Sequence, residues 1–535
     1  MIDHEDWDDV TRDEIDDDDD VDSDFDEATY LRAFPDIAEA VRRGTLASGL
    51  AHFRLAGRTE GRLEKAEYLA LSQTHAGPAS PQVALDTLTI SPSGSTLITG
   101  WSDDRFDQLT EVDLETRADS RHNWMAFPRL ARGDVERTLE TPARHKFGFL
   151  LVAAPIGGNA APPIDPRAAN APVFRFASGA ETRLHRVPVV ASDADLRDLA
   201  LAALPTAAAG ELDPEVIYSI LDQHVGVQIA AINRLIVDQQ RSRRLISRTG
   251  PSRGRYRGTI VTTLRAGADQ IVPRLALTAG GAGAEDYEFV VVVTNADQFE
   301  AASRAARVAD ATLGLSLTLI LQPGGDPAGF GEDAAVDAAR SDRLIFMDHN
   351  VIPRDLDWAA HHTALLDRAP ITQTRLFGGM LYRPDGALSH RGYYFDRETS
   401  LLTRPNDVPY QANTVRLNRL VQPSRSGPRP GPVVGVPGAF LSIDRRWYET
   451  LGGFTRHYSR AAFEDIDLCL RSLKLGFPAW VHPLPMWHFE RRPPSRPEPS
   501  KGGAILNAWL LHRQWDAMIV PDLIGLNPTL PGGGN

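Results

Sequence analysis

Between residues 256 and 350 the chain repeats one arrangement four times, a short apolar run beside a helical stretch, and this repetition narrows the fold most. GTIVTTL precedes a helical segment around 269–280, and EFVVVVT precedes DQFEAASRAARVAD. LSLTLIL leads through a glycine-rich loop to EDAAVDAAR, and RLIFM ends at Asp348. Apolar runs without polar alternation belong to strands covered on both faces, so they predict a largely parallel sheet within an α/β fold. Ligands of such open sheets bind outside the C-terminal ends of the strands. Asn295, Asp297, Asp348 and Asn350 fall at those ends.

A chain of 535 residues exceeds a single core, so two to four domains are expected. The net charge of −14 is concentrated at one end. Residues 1–27 carry sixteen Asp or Glu and one Arg, which leaves the remainder near +1. Such a like-charge block repels itself and predicts a disordered acidic tail. No clustered basic face appears, which argues against nucleic-acid binding. No run reaches transmembrane length and no signal-peptide core is present. These readings predict a cytoplasmic protein, with room left for peripheral contact at the inner face of a membrane. Cys469 is the single cysteine, so an intramolecular disulfide and a cysteine zinc cluster are both excluded. Its setting suits a small buried hydrophobe.

Residues 28–66 read as two short helices stopped at Gly44 and Gly57, with His52 as a packing or surface side chain. Residues 80–195 turn strand-like. TLTISPSGSTLITGWSDD alternates around Ser93-Gly94 as a hairpin, and further short strands predict an antiparallel β-sandwich. Trp101, Asp103 and Asp104 there fit either a carbohydrate-binding surface or an ordinary strand end. Residues 196–250 read as a helical linker. Ile217, Leu221, Val225, Ile229, Ile232 and Ile236 form a stripe suited to a connecting helix pair or to a homodimer contact.

The densest chemistry lies in GGFTRHYSRAAFEDIDLCLRSLKLGF, followed by MWHFE. Glu464 and Asp465 open a predicted helix whose Ile466, Cys469, Leu470 and Leu473 fall on one face. Gly452 and Gly453 form a turn before it, and Gly476 is placed to end it. Acids at a helix start are also plain complements to the helix dipole. His488 follows after the next strand-like run.

This block resembles the C-terminal half of the sugar-nucleotide-binding domain of family-2 glycosyltransferases, which carries a GGF turn, an ED pair opening a helix and then a histidine. Three further blocks resemble the family in the same order. FMDHNVIPRDLDW stands where a DxD-like triplet is usual, LFGGMLYRPDGALSHRGYYF carries a PDG turn, and VVGVPGAFLSIDRRWYETLGGF places Gly438 and Ala439 where an acceptor sugar needs room. Residues 28–66 resemble a small module found beside bacterial glycosyltransferase domains, and the 80–195 segment a β-sandwich accessory domain that precedes some of them.

The resemblance implies a GT-A nucleotide-diphospho-sugar transferase fold over residues 256–525. It also implies an inverting transfer from a nucleotide-sugar donor to a glycan or lipid-linked acceptor hydroxyl, in the setting of polysaccharide or cell-surface glycan synthesis. On it, Asp465 is the general base with Glu464 as the alternative, and Asn295, Asp297 and Asp348 contact the nucleotide. Asp348, Asn350 and His488 hold a divalent metal, Mn²⁺ or Mg²⁺. Asn350 replaces an expected carboxylate and weakens that metal site. A non-catalytic glycan- or nucleotide-binding protein on a decayed scaffold is the alternative the same substitution motivates.

Overall fold

A computed structural model describes residues 25, 27–33, 35–53, 82–117, 120–139, 146–155, 164–166, 169–207, 218, 220–240, 245–251, 254–264, 267–322, 330–397, 415–419, 429–459, 463–489 and 498–524. Of the acidic tail, residues 1–24 and 26 lie outside that set, as do Gly57 and Ile217. The chain divides into two units. One comprises residues 1–90, 96–151 and 165–190, and the other residues 91–95, 152–164 and 191–535.

The first unit begins with three short helices where the sequence predicts two, Glu27–Ala33, Pro35–Arg42 and Gly49–His52. The third helix is tied down at its start. Glu27 accepts the N–H groups of Gly49 and Leu50, and Ser48 caps Ala51. Tyr30, Ile37 and Phe53 form the small core, and His52 is a packing residue whose Nδ1 lies 3.1 Å from the Tyr30 hydroxyl. The rest is a five-stranded and a four-stranded sheet. Phe149 of the former meets Phe174 of the latter at 5.7 Å between ring centroids. One parallel pairing, Thr89 to Val189, interrupts an otherwise antiparallel pattern. Asp104 is buried in an ion pair with Arg129, and Asp103 pairs with Arg105, so both carboxylates serve the fold.

The second unit is built on a sheet whose path runs Leu245–Thr249, Leu317–Leu321, Tyr287–Val293, Gly258–Leu264, Arg343–Met347, Phe440–Asp444, Leu376–Tyr382, Ala479–His488 and Val351–Pro353. The four apolar runs are mutually parallel. Beyond them the pairing is mixed, with Phe440–Asp444 antiparallel to both neighbours. Each parallel strand splits its side chains between two cores. Val290 and Val292 enter one, and Phe289, Val291 and Val293 enter the other. Double burial explains why these strands read as continuous apolar runs.

The 196–250 segment corrects the sequence reading. Its last residues, Leu245–Thr249, are a strand pairing antiparallel with Leu317–Leu321 at the sheet edge. Its helices, Asp193–Ala207 and Gly226–Gln240, belong to this unit and do not serve as a linker. Leu221, Val225, Ile229, Ile232 and Ile236 are buried within the chain, so that stripe does not offer the homodimer contact the sequence allowed. The Trp509 indole, on the helix Glu498–Met518, donates to Asp222 at 3.0 Å, and its ring leaves no room for a Cβ at Gly226.

Candidate active site

The helix Glu464–Lys474 carries the central acids. Ile466, Leu468, Cys469 and Leu470 are buried in one core, and Gly476 at φ 86° ends the helix by donating to Leu473 at 2.9 Å. The start is less ordinary. Among the described residues Phe463 is the one non-glycine residue at positive φ, 71°. A bulky side chain in that region is strained by about 1–2 kcal/mol. Such strain persists where the surroundings over-determine it.

The three acids behind Phe463 have separate surroundings. Asp467 is fully buried, salt-bridged to Arg471 and accepting from Thr455 and the Trp515 indole, so it anchors the helix. Glu464 is half-buried in the first turn. Asp465 is also half-buried, and its Oδ2 accepts the Gly438 N–H at 2.8 Å and the Tyr393 hydroxyl at 3.2 Å. Its Oδ1 accepts the Ile466 N–H at 2.8 Å. Desolvation pushes the Asp465 carboxyl above its ordinary value, against the lowering effect of these donors. A carboxylate so raised is a stronger base once ionised.

At the end of Arg343–Met347 the chain turns through Asp348, His349 and Asn350, with the Val351 N–H donating to the Asp348 carbonyl at 3.0 Å. The His349 ring meets Asp348 Oδ1 at 2.7 Å. Burial pushes the Asp348 carboxyl up, but the His349 ring and N–H and the nearby Arg274 outweigh it and hold it below its ordinary value. Arg274, buried on the helix Ile271–Ala279, donates to the carbonyls of Asp348 and His349 and, at 3.5 Å, to that of Met347. Burial pulls its guanidinium down to about 10. His488 sits opposite Val351 in the antiparallel register, and the Phe489 N–H donates to the Asn350 carbonyl at 2.8 Å.

These contacts gather most of the expected residues. The N–H of Asp348 donates to the Ala439 carbonyl at 2.9 Å, next to the Gly438 that holds Asp465. Gly438 and Ala439 directly precede the strand Phe440–Asp444. Asn295 and Asp297 stand farther off, at the end of Tyr287–Val293. That strand lies two neighbours from Arg343–Met347, roughly 10 Å at ordinary strand spacing. Both are exposed, and Asn295 Oδ1 accepts the Asp297 N–H as the cap of Ala296–Leu313. Two residues were missed by sequence reasoning. Tyr393 carries only the weak signal of following the His390–Gly392 pair, and Arg274 gives none, since a lone Arg in an apolar helix does not announce its carbonyl partners.

Among the described residues no group of three or more His, Cys, Asp or Glu is placed to hold a metal ion. The candidate donors are fewer: one carboxylate at Asp348, the Asn350 side-chain carbonyl and the imidazole of His488, which lies opposite Val351 in the strand register. Asn350 Oδ1 is buried and has no hydrogen-bond partner among the described residues. That orphaned oxygen fits a Mg²⁺-like ion, which commonly takes one or two protein ligands and completes its shell from phosphates and water.

Comparison with protein-family models finds no match, and comparison with curated proteins finds none. Solved structures similar to the chain include GalNAc-T7 with UDP, GalNAc and Mn²⁺, at 12% identity and TM-score 0.34 over 46% of this chain and 46% of that one. The mannosyltransferase PcManGT from Pyrobaculum calidifontis, in complex with GDP-Man and Mn²⁺, matches at 16% identity and TM-score 0.31, over 61% of this chain and 84% of that one. A mycobacterial protein matches at 17% identity and TM-score 0.30, over 49% and 75%. Likenesses of this size carry no argument about activity.

Proposed function

We propose that the chain is a nucleotide-sugar-dependent glycosyltransferase of GT-A type, inverting, acting on a glycan or lipid-linked acceptor. The observation that carries this reading is the shared turn. The Asp465 carboxylate and the Asp348 backbone N–H bond adjacent residues, Gly438 and Ala439, at the C-terminal ends of the parallel strands, where ligands of such sheets bind. Asp465 takes the proton of the acceptor hydroxyl as that oxygen attacks the anomeric carbon. The bond from that carbon to the diphosphate breaks, and its electron pair leaves with the nucleoside diphosphate. Glu464 is the alternative base. Asn295, Asp297 and Asp348 contact the nucleotide. Asp348, Asn350 and His488 would hold a divalent cation, which when bound neutralises charge gathering on the diphosphate.

The test is incubation of the purified protein with a panel of sugar nucleotides and Mn²⁺ or Mg²⁺. Release of nucleoside diphosphate that depends on an acceptor supports the enzyme. Absence of release across the panel, with nucleotide still bound, supports a second reading, a glycan- or nucleotide-binding protein. The contact between His349 and Asp348 favours that second reading, because it occupies an oxygen a cation would need.

A further inference from the structure

We infer that Arg274 is a positioning residue that pre-forms the Asp348–Asn350 turn for a cation-bridged nucleoside diphosphate. The inference rests on the glycosyltransferase reading and assigns a role to a residue which that reading leaves aside.

Three observations carry it. Arg274 is 8% exposed and hydrogen-bonds the consecutive carbonyls of Met347, Asp348 and His349, so one planar fork fixes three successive peptide groups. Those peptides belong to the turn that presents Asp348 and Asn350. No ion pair to a carboxylate is formed by Arg274 among the described residues, and the Asp348 carboxylate is the charge that acts on it. A buried guanidinium satisfied by carbonyls keeps its positive charge beside the turn, which favours an anionic diphosphate there. Thr262, whose hydroxyl donates to the Met347 carbonyl at 3.0 Å, holds the same strand end, whereas among the described residues Arg274 is the side chain that reaches the Asp348 and His349 carbonyls.

Lysine keeps the charge but not the fork, and methionine keeps neither. Binding of UDP and GDP is measured calorimetrically against Mn²⁺ and Mg²⁺ concentration in the wild type, Arg274→Lys and Arg274→Met, each with its melting curve. Partners that orient metal ligands are worth roughly 10–100-fold in metal affinity. Arg274→Lys should therefore need that much more cation to reach half-maximal nucleotide binding, while its cation-independent nucleotide affinity stays near wild type. Arg274→Met should lose the cation-independent part as well. Unchanged cation dependence in folded Arg274→Lys overturns the inference while leaving the functional reading intact. A wild type that binds neither nucleotide under any condition removes the reading and the inference together. Should neither variant fold, hydrogen exchange in the ligand-free wild type decides. Protection of the Val351 amide, bonded to the Asp348 carbonyl, supports a pre-formed turn, and exchange at the rate of an unstructured peptide overturns it.

Discussion

Gly438 donates its backbone N–H to Asp465 Oδ2 at 2.8 Å, so the helix start and the loop before the strand Phe440–Asp444 are locked at the carboxylate itself. Ala439, the next residue, receives the N–H of Asp348. The Asp465 carboxylate and the backbone of Asp348, 117 positions apart in sequence, are thereby referred to one short turn, and the proposed chemistry depends on that coupling.

Asp465→Asn should lower transfer by roughly 10²–10⁴ while leaving nucleotide binding near wild type. Asparagine keeps the size and one of the two accepting oxygens but cannot take a proton. Nucleoside diphosphate release and calorimetric nucleotide binding, measured on the same preparation, check it. Wild-type turnover in this variant would refute the base assignment.

The same substitution should remove a pH dependence from the stability of the fold. Asp465 has its carboxyl raised on folding, chiefly by desolvation. A raised group contributes stability that is fully present below the unfolded value and is lost as pH rises through the folded one. The ionised wild type therefore carries a cost at pH 7 that is absent once Asp465 is neutral. The melting temperature of the wild type should rise relative to that of Asp465→Asn as pH falls through the folded value, since Asp465 is then neutral too. Activity should show an acid limb above the ordinary carboxylate value of 3.8.

Asp467→Ala should act on stability first. Its removal leaves Arg471, Trp515 and Thr455 without their buried partner, which costs about 3–5 kcal/mol for a broken buried ion pair. Urea denaturation should show the loss. Unaltered stability would mean that the helix is held by its apolar face alone.

Gly435→Ala should impair both folding and turnover, whereas Gly438→Ala should fold. A Cβ at Gly435 would stand 2.4 Å from Ile466 Cδ1 on the Asp465 helix, while one at Gly438 meets nothing nearer than Asp465 Cβ at 3.4 Å. Overpacking of the first kind costs about 1–3 kcal/mol. Thermal melts of the two variants side by side give the comparison.

Asn350→Asp should tighten cation dependence, because a second carboxylate supplies the charge that an amide oxygen lacks. Half-maximal Mn²⁺ in nucleotide binding should fall. A rise would place the cation elsewhere and release Asn350 from the site.

The apolar runs GTIVTTL, EFVVVVT, LSLTLIL and RLIFM announced the four parallel strands, because burial on both faces leaves its mark on every residue of a strand. Gly476 at the end of the Asp465 helix and the Asp385-Gly386 turn were legible for a similar reason, since their conformation is local. The edge strand Leu245–Thr249 was not, because exposed residues carry no apolar pattern and its pairing partner lies about seventy residues onward. Nor could spacing show that Asp465 would meet Gly438, that Asp467 would be consumed by Arg471 and Trp515, or that Arg274 would grip three carbonyls. Local periodicity reports which face of an element is dry. Which polar groups then meet across elements is decided only when the sheet order and helix packing bring distant segments within a hydrogen bond of each other.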